Sequence, residues 1–268
     1  MERYDSPPSQ PDTNFESKNY KIKLVTIRGE RHSGTGWLRQ MLSQNCPNLQ
    51  WKVRQNKPTN NHRNIPHWVD ADGKYGWKHA ILDKPVDEKD LVIFVFRNIT
   101  SWIPRMRLKT YETMPKSNLP MARFLHESWR PNLKLDSHDW KNIFEMRTAK
   151  YKSWIEYCEK YPENAVGVMY EDLVENSESF FGHLVNRYDV PCKEKFMKSD
   201  CYSKFGACKK EGRKMVVFDK NKKRKVTKVK KEEREFTERS YSWSKRDWKT
   251  LIDGMDKNLE SKIGYDFL

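Results

Sequence analysis

Short apolar runs alternate with stretches of helical periodicity along this chain. The main runs are residues 22–27 (IKLVTI), 91–96 (LVIFVF) and 165–170 (AVGVMY), with 49–53 as a weaker candidate. Runs this short, rich in β-branched residues and lacking polar alternation, predict strands of a parallel sheet covered on both faces. Helical patterns fill the intervals. One covers 35–45. A second starts at Thr100 or Ser101 as cap and runs to about 113, with Pro104 tolerated in its first turn. Residues 141–161 put Ile143, Met146, Ala149, Trp154 and Tyr157 near helical spacing, and 177–188 and 244–263 complete the set. This alternation predicts an α/β fold with three layers around a central, mainly parallel sheet. Ligands of such sheets bind beyond the carboxyl ends of the strands. That rule places GERHSGTG (29–36), Arg97-Asn98 and Tyr170-Glu171-Asp172 on one rim. Glu171 and Asp172 read as anchors of a helix start or partners of nearby basic groups.

The loop between the first run and the first helix carries the clearest chemistry. Strand, small-residue loop and helix N-terminus together form a phosphate cradle, because backbone N–H groups and the helix dipole converge on one point. This makes the fold P-loop NTPase-like in its first strand–loop–helix. Gly34 and Gly36 let an anion approach the backbone, Ser33 and Thr35 offer hydroxyls, and Arg31 and His32 can supply charge. An ATP or GTP loop would read G-x-x-x-x-G-K-[ST]. Thr35 and Gly36 stand where its Lys and hydroxyl belong, which argues against NTP hydrolysis.

Composition narrows the picture further. The 268 residues fit a single domain over 21–268, after a polar, Pro-rich leader at 1–20 that is read as disordered and lacks the apolar core of a secretory signal. No apolar run nears the roughly 18–20 residues of a membrane span. The five cysteines form no C-x-x-C pair and no ligand spacing, so free thiols in a reducing cytoplasm are the simplest reading and no metal is implied. A disulfide among Cys192, Cys201 and Cys208 stays open. Of the net charge of +15, +11 falls in residues 204–231, a basic insertion whose stretch MVVFDKNKKRKVTKV has the pattern of a β-hairpin. Its few aromatics (Phe205, Phe218 and then Phe236) make a poor stacking platform, which argues against nucleic acid as partner.

Taken in order, the loop RHSGTGWL, the segment Trp77-Lys78-His79, and Phe96-Arg97-Asn98 with Arg105 eight residues after Arg97 resemble the sulfotransferases that use 3′-phosphoadenosine 5′-phosphosulfate (PAPS). YEDL (170–173) with its following helix, and the closing LESKIGYDF, are similar to further segments of that family. The resemblance implies that Arg31, His32, Ser33, Gly34, Thr35, Gly36 and Trp37 surround the 5′ end of the cofactor, and that Arg97 and Arg105 hold its 3′-phosphate. It implies His79 as general base, 18 residues before Arg97, with His32 in the place of the family's catalytic Lys or Arg. Gly36 replaces a Thr, Ile99 replaces the Pro of an RNP-like motif, and Arg105 replaces a Ser. The family's Gly-rich 3′-phosphate loop gives way to the Lys-rich 209–231.

The implied activity is transfer of a sulfuryl group from PAPS to a hydroxyl or amine, releasing 3′,5′-ADP. The acceptor is read as a soluble small molecule in preference to a carbohydrate polyanion. Two rival readings are a kinase-like phosphotransferase and a polyanion or nucleic-acid binder built on the basic run.

Overall fold

The computed structural model describes residues 20–47, 49, 75, 78–110, 119–130, 138–193, 195–197, 208–211, 214–218, 224–227 and 241–265. All of the 1–20 leader but its last residue, nearly all of the weak strand candidate at 49–53, and Trp77 lie outside them.

Three strands carry the molecule: β1 (Leu24–Gly29), β2 (Asp90–Phe96) and β3 (Ala165–Met169). They pair in the order β1-β2-β3, all parallel. β2 is buried along its whole length, as its unbroken apolar run predicts for a central strand. Its side chains alternate between two cores. Leu91, Ile93 and Val95 meet α1 (Thr35–Asn45), α5 (Tyr170–Glu175) and α6 (Ser177–Tyr188). Val92, Phe94 and Phe96 meet Tyr151, Trp154 and Tyr157 of α4 (Ile143–Lys160). The sheet therefore lies between two helical layers, and the chain is α/β. A third cluster joins α2 (Ile99–Leu108), α3 (Met121–His126), the start of α4 and α7 (Lys245–Gly254). The Lys-rich run contains an antiparallel sheet of β4 (Cys208–Glu211), β5 (Lys214–Phe218) and β6 (Arg224–Thr227). The last element is α8 (Lys257–Lys262).

Several boundaries differ from the sequence reading for local reasons. The cap of α2 is Asn98, whose Oδ1 accepts from both the backbone N–H and the hydroxyl of Thr100 (2.9 and 2.7 Å). That moves the start upstream and puts Pro104 at the sixth helical position, beyond the first turn, where its missing N–H leaves the Thr100 carbonyl without a helical donor. The single helix expected over 244–263 is two. Met255 adopts an extended conformation, and Asp256 caps α8 by accepting from the N–H of Leu259. On α4 the half-buried Ala149 is not part of the buried stripe, which instead includes Arg147 and Lys150.

The expectation of free thiols is overturned. Cys46 and Cys192 form a disulfide. Cys46 ends α1 and Cys192 follows α6, and both helices cover the same sheet face, so two cysteines 146 residues apart meet in its core. Spacing in sequence carries no trace of this. Cysteine usage therefore no longer argues for a reducing compartment. Cys158 is free, and burial pushes its thiol up to about 12, so it is a poor nucleophile. Cys201 and the side chain of Cys208 lie outside the described residues. Among those residues no helix is long and apolar enough to cross a membrane.

Closing so long a loop constrains the unfolded chain. Reduction, or Cys46→Ser with Cys192→Ser, should lower the unfolding free energy by about 3–5 kcal/mol in denaturant titrations. Curves that coincide with and without reductant would show that the pair contributes no stability.

Candidate functional site

All three parallel strands end on one edge, and their exits meet there. β1 runs out at Gly29 in a left-handed conformation (φ 156°), where a Cβ would lie 2.6 Å from Ser33 Oγ and 2.8 Å from the Val95 carbonyl. The loop 30–34 then turns into α1. At Gly34 (φ 92°) a Cβ would stand 2.3 Å from the ring of Tyr170, the residue that follows β3. Only glycine lets the loop approach that ring.

The loop is held by its carbonyls. Ser33 donates to the Glu30 carbonyl through both its backbone N–H (3.1 Å) and its hydroxyl (2.6 Å). The Trp102 indole N–H donates to the Arg31 carbonyl (2.8 Å), and an Arg97 NH group to that of His32 (2.7 Å). Three consecutive carbonyls are thus tied to protein donors. Among the described residues, the N–H groups of Gly34, Thr35 and Gly36, at the first turn of α1, meet no acceptor. Such donors at a helix N-terminus favour an anion. Lys78 Nζ reaches Thr35 Oγ1 at 3.4 Å, bringing a further cation to the turn.

Beneath the loop lies a buried ion pair. Glu30 meets Lys150 of α4 at 2.7 Å, with both side chains 1% exposed. Charges so far from water persist only when paired. This one pins the loop to the helix on the opposite face of the sheet.

The sequence-derived residues divide into those brought together and those placed elsewhere. Arg97 is 7% exposed and sits on the Tyr170 ring (4.4 Å to its centroid). It donates to Ser101 Oγ (2.9 Å) as well as to the loop, so Ser101, one helical turn on, is a partner that sequence reading missed. Arg105 is half-buried, and its charge acts on His32 together with those of Arg97 and Lys109. His32 is left-handed (φ 63°), and its Nε2–H donates to the Lys109 carbonyl (2.8 Å). Burial, aided by those three charges, lowers its pKa below the ordinary 6.5. His32 is therefore neutral at pH 7 and is not the cation expected at this position. Ser33 is fully buried and its hydroxyl proton is used inside the loop, so it shapes the turn. Trp37 packs in the core with Leu38 and Met41.

His79 reaches the rim because 78–80 lies along the edge of β1 that faces away from β2. The Gly29 N–H donates to the Lys78 carbonyl (3.1 Å), and the buried Arg28 donates to the Ala80 carbonyl (3.0 Å). His79 Nδ1 is hydrogen-bonded to the Gly29 carbonyl. A carbonyl only accepts, so Nδ1 carries the proton and the neutral ring holds its lone pair on Nε2. Burial, then the charges of Lys78 and Arg31, hold its pKa well below 6.5. Glu171 also serves the rim. Its Oε1 accepts from the Asn98 N–H (3.2 Å), anchoring the start of α2.

No protein-family model, curated protein or solved structure matches this chain.

Two expected outcomes follow from these buried charges. Lys150→Met strands the Glu30 carboxylate and should cost about 3–5 kcal/mol of stability, with much of it regained when Glu30→Gln is added. An additive double variant in denaturant titrations would dismiss the pairing. His79 behaves differently with pH. Between its depressed folded pKa and the unfolded value of 6.5, the unfolded chain binds the extra proton, so this site's stabilisation is complete above 6.5 and declines as pH falls toward the folded value. His79→Asn keeps an N–H donor for Gly29 but cannot titrate. Its stability should therefore fall less steeply on acidification, by up to about 1.4 kcal/mol per pH unit. A slope equal to that of the wild type would exclude His79 from the acid limb.

Proposed function

We propose that this protein is a PAPS-dependent sulfotransferase acting on a hydroxyl or amine. One observation carries the reading. The Arg97 guanidinium is bonded to the backbone of the anion-cradling loop, which sets a second cationic position, Arg97 with Arg105, directly against the first. A ligand with two separated anionic groups fits that pair better than a lone phosphate does.

The free N–H groups of Gly34, Thr35 and Gly36, with the Thr35 hydroxyl and Lys78, suit the phosphosulfate end. Arg31, in the same loop, adds positive charge there. Arg97 and Arg105 suit the 3′-phosphate, where the guanidinium fork favours bidentate contacts. PAPS supplies the sulfuryl group when bound and leaves as 3′,5′-ADP. The chain's own contribution is orientation and charge. His79, neutral at pH 7, takes the acceptor proton on Nε2, and its Nδ1–H bond to Gly29 fixes the ring for that task. The fixed N–H groups and Lys78 meet negative charge without reorganising, which is how preorganised donors lower such barriers. With His32 neutral, the permanent cation near the leaving group falls to Arg31 or Lys78.

The loop lacks the Lys of a kinase, so phosphotransfer from ATP is the weaker reading. The β4–β6 sheet, built from a segment of net charge +11 over 204–231, favours a polyanion as a second candidate acceptor after a soluble small molecule.

Titration calorimetry with 3′,5′-ADP should show micromolar-range binding that Arg97→Ala weakens strongly. Labelled PAPS with a metabolite extract should give a sulfated product by mass spectrometry, lost in His79→Asn while 3′,5′-ADP binding persists. Absence of 3′,5′-ADP binding at high micromolar ligand would refute the proposal. Salt-sensitive heparin binding that survives Arg97→Ala, without cofactor affinity, would favour a plain polyanion binder.

A further inference from the structure

The peptide group between Arg97 and Asn98 is gripped at both polar atoms. β2 has ended at Phe96, so this peptide has left the strand ladder. Its carbonyl accepts from Arg147 NH2 at 2.7 Å. Its N–H, on Asn98, donates to Glu171 Oε1 at 3.2 Å. Each gripping side chain is itself held by the C-terminal segment. Arg147 makes a two-pronged, fully buried pair with Glu260 of α8, and its guanidinium lies on the Tyr151 ring (4.1 Å to the centroid). The Tyr265 hydroxyl donates to Glu171 Oε2. Tyr265 is locked to the same helix, since its N–H donates to the Glu260 carbonyl (2.9 Å). The second prong continues to the guanidinium, because the Ser101 hydroxyl that receives Arg97 Nε lies 3.4 Å from Glu171 Oε1.

Two chains of bonds therefore run from residues 257–265 to the two polar atoms of one peptide, the Arg97 carbonyl and the Asn98 N–H. Stability alone would need only a partner for each buried polar atom. Here each partner is an Arg or Glu side chain whose geometry is set by the same short segment, and the two chains close on the peptide that follows the residue assigned to the second anion.

We propose that the C-terminal segment is a latch, in which Glu260 and Tyr265 are positioning residues that orient Arg97 toward the 3′-phosphate. This rests on the sulfotransferase reading of the rim. Neither residue touches the ligand. They act by fixing the 97–98 peptide, and with it the direction in which the Arg97 side chain leaves the strand.

Tyr265→Phe removes one hydroxyl and keeps the ring, so it tests the latch with little risk to folding. Affinities for 3′,5′-ADP and 5′-AMP separate the two ends of the site, since only the former carries a 3′-phosphate. The variant should bind 3′,5′-ADP about tenfold more weakly, as expected for loss of one charge-assisted bond, with the 5′-AMP affinity unchanged. In the ligand-free protein its Asn98 amide should exchange with solvent faster than in the wild type. Glu260→Gln, which keeps shape but loses charge against Arg147, should produce the same selective loss. Equal losses for both ligands, or unchanged affinity for both, would overturn the latch, as would unchanged Asn98 exchange. A wild type that binds no 3′,5′-ADP would instead overturn the sulfotransferase reading, and with it the ligand assigned to Arg97.

Discussion

The rim depends on charge buried in helix α4. Lys150 meets Glu30 beneath the first loop, and Arg147 meets Glu260 beneath the exit of β2. The two basic residues sit three apart on one helical face, so a single rigid element sets both halves of the site. Removing two charges from water costs several kcal/mol per ion and gives back little net stability even when pairing is good. What such pairs provide is a geometry that tolerates no alternative partner. Loop and strand end are therefore registered against each other before any ligand arrives, which is the condition for preorganised electrostatics.

The parts of the fold that were legible in sequence are those dictated by local pattern. The apolar run of β2, the loop opening into α1, and the placement of Arg97 and Tyr170 on one rim follow from periodicity and the geometry of parallel sheets. Less legible were features made by partners distant in the chain. Cys46 and Cys192 meet only because α1 and α6 share a sheet face. Asn98 outcompetes Thr100 and Ser101 as cap because its carboxamide satisfies two donors at once. Arg147 and Lys150 did leave a signal, as two cations within a stripe of Met146, Tyr151 and Trp154. A charged residue on an apolar helical face implies a buried counter-ion, although pattern alone does not say which.

Within the site, residue type foretold location better than role. Ser33 and Trp37 lie where the motif puts them, but one ties the turn together and the other fills the core. His32 lies in the expected loop, yet its environment removes its charge. A buried imidazole among Arg97, Arg105 and Lys109 discards its proton and becomes a donor to a carbonyl. Burial does most of this, and the neighbouring cations that make the rim attractive to anions add to it.

The Cys46–Cys192 bond also divides the chain topologically. It closes a covalent ring containing β2, α2, α3, α4, β3, α5 and α6, and leaves two tails outside it. One tail is β1 with the anion loop and all of α1, and the other ends in α7 and α8. The first carries the cradle, the second the residues that steady Arg97, and both fold back onto the ring that carries Arg97 itself. A single backbone cut inside the ring leaves one joined molecule. A cut between β1 and Cys46, or between Cys192 and α8, instead breaks the covalent link between the ring and a part of the rim, so these two stretches of backbone carry a connection that the disulfide does not duplicate.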